Sequence, residues 1–121
     1  MQILISSGPE NVERAVLGFS LAAAAVCAGT QVLLFLVMDG ARWALKSEGN
    51  KVDVPGFQPI SELIDAIQTG GGTIEVCSNC AQGTDCSVLQ GQLRDQMRPG
   101  IVTGGLVKVA TRIGMIPTVA F

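Results

Sequence analysis

Apolar residues along the chain fall into two alternating kinds of run. Short, nearly continuous runs occupy residues 2–6, 31–38 and 73–77, with briefer ones at 101–103 and 117–121. Runs of this kind suit strands of a parallel sheet covered on both faces. Between them the apolar positions take helical spacing. Val12, Val16, Phe19, Ala23 and Val26 share one face of a helix ending near Ala28, and Ile60, Leu63, Ile64 and Ile67 share one face of a helix ending near Thr69. Leu89, Leu93 and Met97 repeat at i, i+4, i+8, and a last helix opens after Gly104-Gly105 and runs to about Ile113. Strand and helix in alternation predict one α/β domain over residues 1–121, a three-layer α/β/α, Rossmann-like fold with a mainly parallel five-stranded sheet and right-handed crossovers.

The punctuation agrees. Gly8, Pro9 and Glu10 read as cap, first helical position and acid at a positive helix end. Gly29 and Gly70-Gly71-Gly72 stop helices, Pro99-Gly100 another, and Thr84-Asp85 starts one. A short helix is expected over 41–46, then one long aperiodic loop over 47–58. Pro117 suits a strand start or an edge. The first helix is apolar on its second side too, at Leu17, Leu21, Ala24 and Ala25, which predicts one side on the sheet and the other on a partner subunit.

Composition sharpens this. Only 15% of residues are charged, against 48% hydrophobic. A small domain with so little charge is expected to hide surface in an oligomer. Net charge is −2 with no run of like charges, so nucleic-acid binding lacks an electrostatic footprint. Residues 15–38 carry no charge, long enough to span a bilayer. Gly29-Thr30-Gln31 divides them into a helix-favouring and a β-favouring half, so two soluble elements are expected and no membrane span. The chain opens on a strand-like segment without a signal peptide, which predicts a cytoplasmic protein with reduced thiols. Cys27, in an Ala-rich stretch, is expected to be a buried structural thiol.

Histidine and tyrosine are absent. That excludes a Ser-His-Asp triad, a Cys-His nucleophile and a histidine-ligated metal; no phosphate-loop motif is present either. What remains is the stretch Cys77-Ser78-Asn79-Cys80-Ala81-Gln82-Gly83-Thr84-Asp85-Cys86. Ligands of open α/β sheets bind outside the carboxyl ends of strands. Cys77 ends a strand there, before a turn whose N–H groups favour a thiolate. Four roles fit: a C-x-x-C redox pair, a metal or iron–sulfur site, buried structural thiols, and a thiol that accepts and passes sulfur. Ser7, Gly8, Asp39, Gly40 and Asn79 fall at the same strand ends and are the candidate binding residues. Asp39 is more simply a helix cap. Trp43 is expected against a partner, Arg42 on an anion or at the surface, and Arg94, Arg98 and Arg112 on solvated helix faces.

Taken in order, these segments resemble the DsrE/DsrF-like family of small sulfur-relay proteins. The resemblance rests on Ser7-Gly8-Pro9-Glu10-Asn11 with Glu13-Arg14-Ala15, on Ala22 to Gly29 and the strand ending in Asp39-Gly40, and on Gly72 to Cys80. Gly104-Gly105 and the terminal Val119-Ala120-Phe121 extend it over nearly the full length. It implies a parallel-sheet α/β/α fold, trimers or hexamers of identical or related subunits, and a cysteine that carries a persulfide in sulfur oxidation or tRNA thiolation. Cys77 matches that cysteine, and Cys80 is the second candidate because many members have one thiol here. Gln82 to Cys86 departs from the family's pattern. The implied partners are sulfur donor and acceptor proteins, with no cofactor and no metal; many members have no known activity.

Overall fold

The computed structural model describes residues 1–82 and 96–121. Five strands form one sheet: β1 (Gln2–Ile5), β2 (Leu33–Leu36), β3 (Thr73–Cys77), β4 (Val102–Gly104) and β5 (Thr118–Ala120). Their order is β4-β3-β2-β1-β5, and every pair is parallel. The helices whose bounds lie among the described residues are α1 (Val12–Cys27), α2 (Ile60–Thr69), α3 (Ser78–Gln82) and α4 (Leu106–Ile113). Two 3-10 segments, Pro9–Asn11 and Met38–Ala44, follow β1 and β2.

Two features separate the sheet's faces. Side chains alternate along a strand, and Gln2 and Glu75 both bond to α4, through Val109 O and Arg112. The positions sharing their face include Leu4, Phe35 and Cys77, which follow from the register. Ile5, of the opposite parity, packs on α1 at Gly18. Ile3, Ile5, Leu34, Leu36, Ile74 and Val76 therefore face α1 and α2 and form the core with Phe19, Ile64 and Ile67. The chain moves outward from β1 to β3 with helices on one face and returns from β4 to β5 with α4 on the other. Right-handed crossovers require that change of face when the direction reverses.

Most element bounds fall close to the sequence pattern; β3 matches it residue for residue, and α2 ends at Thr69 as expected. β2 is shorter than the apolar run because the backbone turns at Met38, whose φ is +53°. α1 starts later than expected, since Gly8 caps the Pro9–Asn11 segment and the α-helix begins only at Val12. The short helix expected over 41–46 is the 3-10 segment Met38–Ala44 instead. The helix start at Thr84-Asp85, the positions Leu89 and Leu93, and Cys86 and Arg94 lie outside the described residues. No helix among the described residues is long and apolar enough to cross a membrane.

Three surface expectations are corrected. Trp43 is core, not surface: it is 1% exposed, stacks edge-on against Phe19 with centroids 6.5 Å apart, and donates its indole N–H to Ser7 O at 2.8 Å. Arg98 is not on a solvated helix face. Its guanidinium donates to the carbonyls of Trp43 (3.0 Å) and Glu48, and its backbone N–H to Ala44 O, so the 96–98 segment is tied beside residues 44–46. Burial pushes the Arg98 guanidinium below its ordinary value, opposed by the charges of Asp65 and Glu48. Cys27, the last residue of α1, is exposed, not buried. The second side of α1 is open in the single chain, with Leu17 53% and Leu21 37% exposed.

Candidate functional site

The strand order sets the carboxyl ends of β3 and β4 apart from the rest of the sheet edge. Helix α3 leaves the end of β3 and packs against the Met38–Ala44 segment, which lies on the α1 side through Trp43 and Phe19. Helix α4 leaves the end of the neighbouring β4 toward the opposite face. Adjacent strands whose exits diverge define a topological switch point, where ligands of open α/β sheets bind. Here that point lies between Cys77, the last residue of β3, and its register partner Gly104, the last residue of β4.

Local sequence explains this geometry. After the Gly70–Gly72 stop, at which Gly72 N–H bonds to Ile67 O, β3 opens on exposed Thr73 and is buried from Ile74 to Cys77, with the acid Glu75 inside it. Helix α3 begins on the very next residue, so its N-terminal N–H groups follow Cys77 directly. Helix α4 begins two residues after Gly104, with Gly105 at the cap position and no side-chain cap bond. Both thiols are buried, Cys77 at 2% and Cys80 at 5% exposure, while Asn79 between them is exposed.

The remaining candidates gather at the ends of β1 and β2 instead. Gly40 N–H bonds to the carbonyls of Ser6 (3.2 Å) and Val37 (3.0 Å). Asp39 lies against Gly8, where a Cβ on the glycine would stand 2.8 Å from Asp39 Cβ. Asp39 does not cap: it sits inside the 3-10 segment, exposed, with Val37 at the cap position and no side-chain cap bond. Gly8 and Asp39 line a cavity of about 450 Å³ with Arg42, Glu10 and Glu48. A second cavity of about 490 Å³ shares Pro9 and Glu48 with it and extends to Lys51 and Asp53. Neither is lined by Cys77 or Cys80. Ser6 Oγ donates to Phe121 O at 3.0 Å, and Ser7 Oγ is buried with no hydrogen-bond partner among the described residues. The structure thus divides the sequence-derived residues into two groups along one sheet edge, Cys77, Asn79 and Cys80 at β3 and Ser7, Gly8, Asp39 and Gly40 at β1 and β2.

Comparison with known proteins identifies the fold and the family. The model of the DsrE/DsrF-like family matches residues 1–112. The chain belongs to the DsrE/DsrF-like family. Among DsrE/DsrF-like folds, the crystal structure of the YchN protein from E. coli superposes with a TM-score of 0.74 at 18% identity, covering 99% of this chain and 97% of that one. An uncharacterized protein of Methanocaldococcus jannaschii, MJ0760, is 35% identical over 80 residues, 66% of this chain. The match takes in only 29% of MJ0760, so the DsrE/DsrF-like chain spans well under two thirds of that relative.

One pair that sequence reasoning misses lies beside the cysteine. Glu75, in the middle of β3, is buried and paired with Arg112 of α4, Nη2 to Oε1 at 3.2 Å and Nη1 to Oε2 at 3.4 Å. Arg112 is therefore an ion-pair partner within the fold, not a solvated arginine. The available signal was the lone acid in Thr73-Ile74-Glu75-Val76-Cys77, since a charge inside a buried strand requires a partner. Among the described residues, no three metal-binding side chains gather in one place.

Proposed function

We propose that this DsrE/DsrF-like chain is a cytoplasmic sulfur-relay protein in which Cys77 accepts and passes sulfane sulfur. The observation that carries the reading is the position of Cys77 at the β3–β4 switch point, with helix α3 starting on the next residue. Family membership supports the same chemistry. The Cys77 thiolate attacks the outer sulfur of a donor persulfide; an S–S bond forms to Cys77 and the donor leaves as a thiolate. An acceptor thiolate then attacks the outer sulfur of the Cys77 persulfide, and Cys77 departs as the thiolate. Sulfane sulfur moves without net oxidation. Cys80, one helical turn on, is the alternate acceptor or resolving thiol.

Incubation with a persulfide donor, followed by intact and peptide mass, tests this. Wild-type protein is expected to gain one sulfur on Cys77, Cys77→Ser to lose that adduct, and Cys80→Ser to retain it. Burial of both thiols favours a second reading, a non-catalytic module with structural cysteines. Absence of any adduct on the wild-type protein selects that reading.

The open side of α1 fits a homo-oligomer, a trimer or hexamer. Leu17 and Leu21 lie on adjacent turns and are both exposed, so the side of α1 that the apolar pattern assigns to a partner is uncovered in the single chain. Sedimentation of wild-type protein is expected to show an assembly, and the pair Leu17→Lys and Leu21→Lys to shift it toward monomer with the fold retained. A wild-type monomer at tens of micromolar would rule the assembly out.

A further inference from the structure

The geometry points to the Glu75–Arg112 pair as the device that sets the charge beside Cys77, with Arg112 a positioning residue that offsets the Glu75 carboxylate. This inference rests on Cys77 being the reacting thiol.

Glu75 and Cys77 are two residues apart on β3 and therefore share a face, roughly 7 Å apart along the strand. The carboxylate reaches further still toward the sulfur's level. Gly104 is the register partner of Cys77, and a Cβ on Gly104 would overlap Glu75 Oε2. The negative charge thus occupies the space that a side chain on Gly104 would fill, at the carboxyl ends of β3 and β4. Arg112 approaches from the last turn of α4 and contacts both carboxylate oxygens. The other cation of α4, Lys108, is exposed. Glu75 is buried, so solvent screens it little, and without Arg112 its charge would oppose a thiolate forming next to it. Removing Glu75 instead would leave Arg112 uncompensated and favour that thiolate. A pair that merely held α4 onto the sheet would show no such opposition of sign.

The test is alkylation of the full-length protein with iodoacetamide at fixed neutral pH. The sulfur displaces iodide, and the rate at Cys77 is read by peptide mass where it is first order in reagent. Arg112→Gln is expected to slow Cys77 on the order of tenfold, and Glu75→Gln to speed it severalfold. Arg112→Lys and the double variant Glu75→Gln/Arg112→Gln are expected to stay close to wild type. Thermal melts confirm that each variant is folded; should Arg112→Gln fail to fold, the comparison of Glu75→Gln with the double variant still decides the sign. Unchanged rates, or rates that move the same way in Arg112→Gln and Glu75→Gln, overturn the inference and leave a sulfur adduct on Cys77 untouched. A wild-type Cys77 that takes neither iodoacetamide nor sulfur overturns this inference and the sulfur-relay reading together.

Discussion

Gly40→Ala is expected to cost about 3 kcal/mol or more of folding stability, at the top of the range for overpacking. The reason is steric. Gly40 has an ordinary φ, so its backbone would accept alanine, but a Cβ there would collide with Ile5 O, with Ile5 C at 2.7 Å and Ser6 Cα at 3.2 Å. These are backbone atoms of the β1 end, and they are held. Ile5 O accepts Val37 N–H at 3.0 Å, and Ser6 O accepts Gly40 N–H at 3.2 Å. No rotamer change relieves the clash; the β1–β2 ladder must separate at its carboxyl edge. A domain of this size has roughly 5–15 kcal/mol in all, so the loss shows directly in urea unfolding. Gly114→Ala is the control. Its φ is −77° and the nearest neighbour of an added Cβ is Thr111 O at 3.8 Å, so stability should stay within about 0.5 kcal/mol or rise slightly. Equal stability of the two variants would show that the close approach of Gly40 to Ile5 carries no weight.

β1, β2 and β3 were legible in the sequence because they are largely buried and read as nearly unbroken apolar runs, whereas the outer strands β4 and β5 are mostly exposed and were marked by shorter runs beside Gly and Pro. Helix α2 was legible for the opposite reason: Ile60, Leu63, Ile64 and Ile67 make a one-sided stripe that three glycines cut off. The end of β2 was not, because the turn depends on Met38 entering the left-handed region, and a methionine announces no such turn. Cys77 could be placed at a strand end from pattern alone. That this end is the switch point needed the strand order, in which β4 lies outside β3 and its exit turns to the other face. The Glu75–Arg112 pair spans 37 residues. A lone acid in a strand states that a partner is needed, without saying which of several arginines supplies it. Arg98 and Trp43 were misplaced alike: each neighbours polar or loop residues in sequence, and only tertiary structure brings them together.

Trp43→Ala is expected to cost about 3–5 kcal/mol, the usual range for emptying an aromatic site in a core, with a further share from the polar groups it leaves. Three parts of the fold meet on this residue. The ring packs edge-on against Phe19 of α1, the indole N–H bonds to Ser7 O just past β1, and the backbone carbonyl accepts Arg98 Nε. Truncation opens a cavity beside Phe19 and strips Ser7 O of its donor. Ser7 Oγ already lacks a hydrogen-bond partner among the described residues, so Ser7 would then carry two buried oxygens without one. Trp43→Phe separates the contributions. It keeps most of the apolar contact and loses the N–H, and is expected to cost roughly 1–3 kcal/mol, the penalty for one buried acceptor left unsatisfied together with a small cavity. The Arg98 Nε bond is made to the Trp43 backbone carbonyl, not to the indole, and should survive both changes, so Arg98→Ala ought to add its own loss to Trp43→Phe. Urea midpoints for the three variants give the comparison. A Trp43→Ala protein within 1 kcal/mol of wild type would mean that the indole is not the keystone between β1, α1 and the 96–98 segment, and that Ser7 is held in place by the β1 end alone.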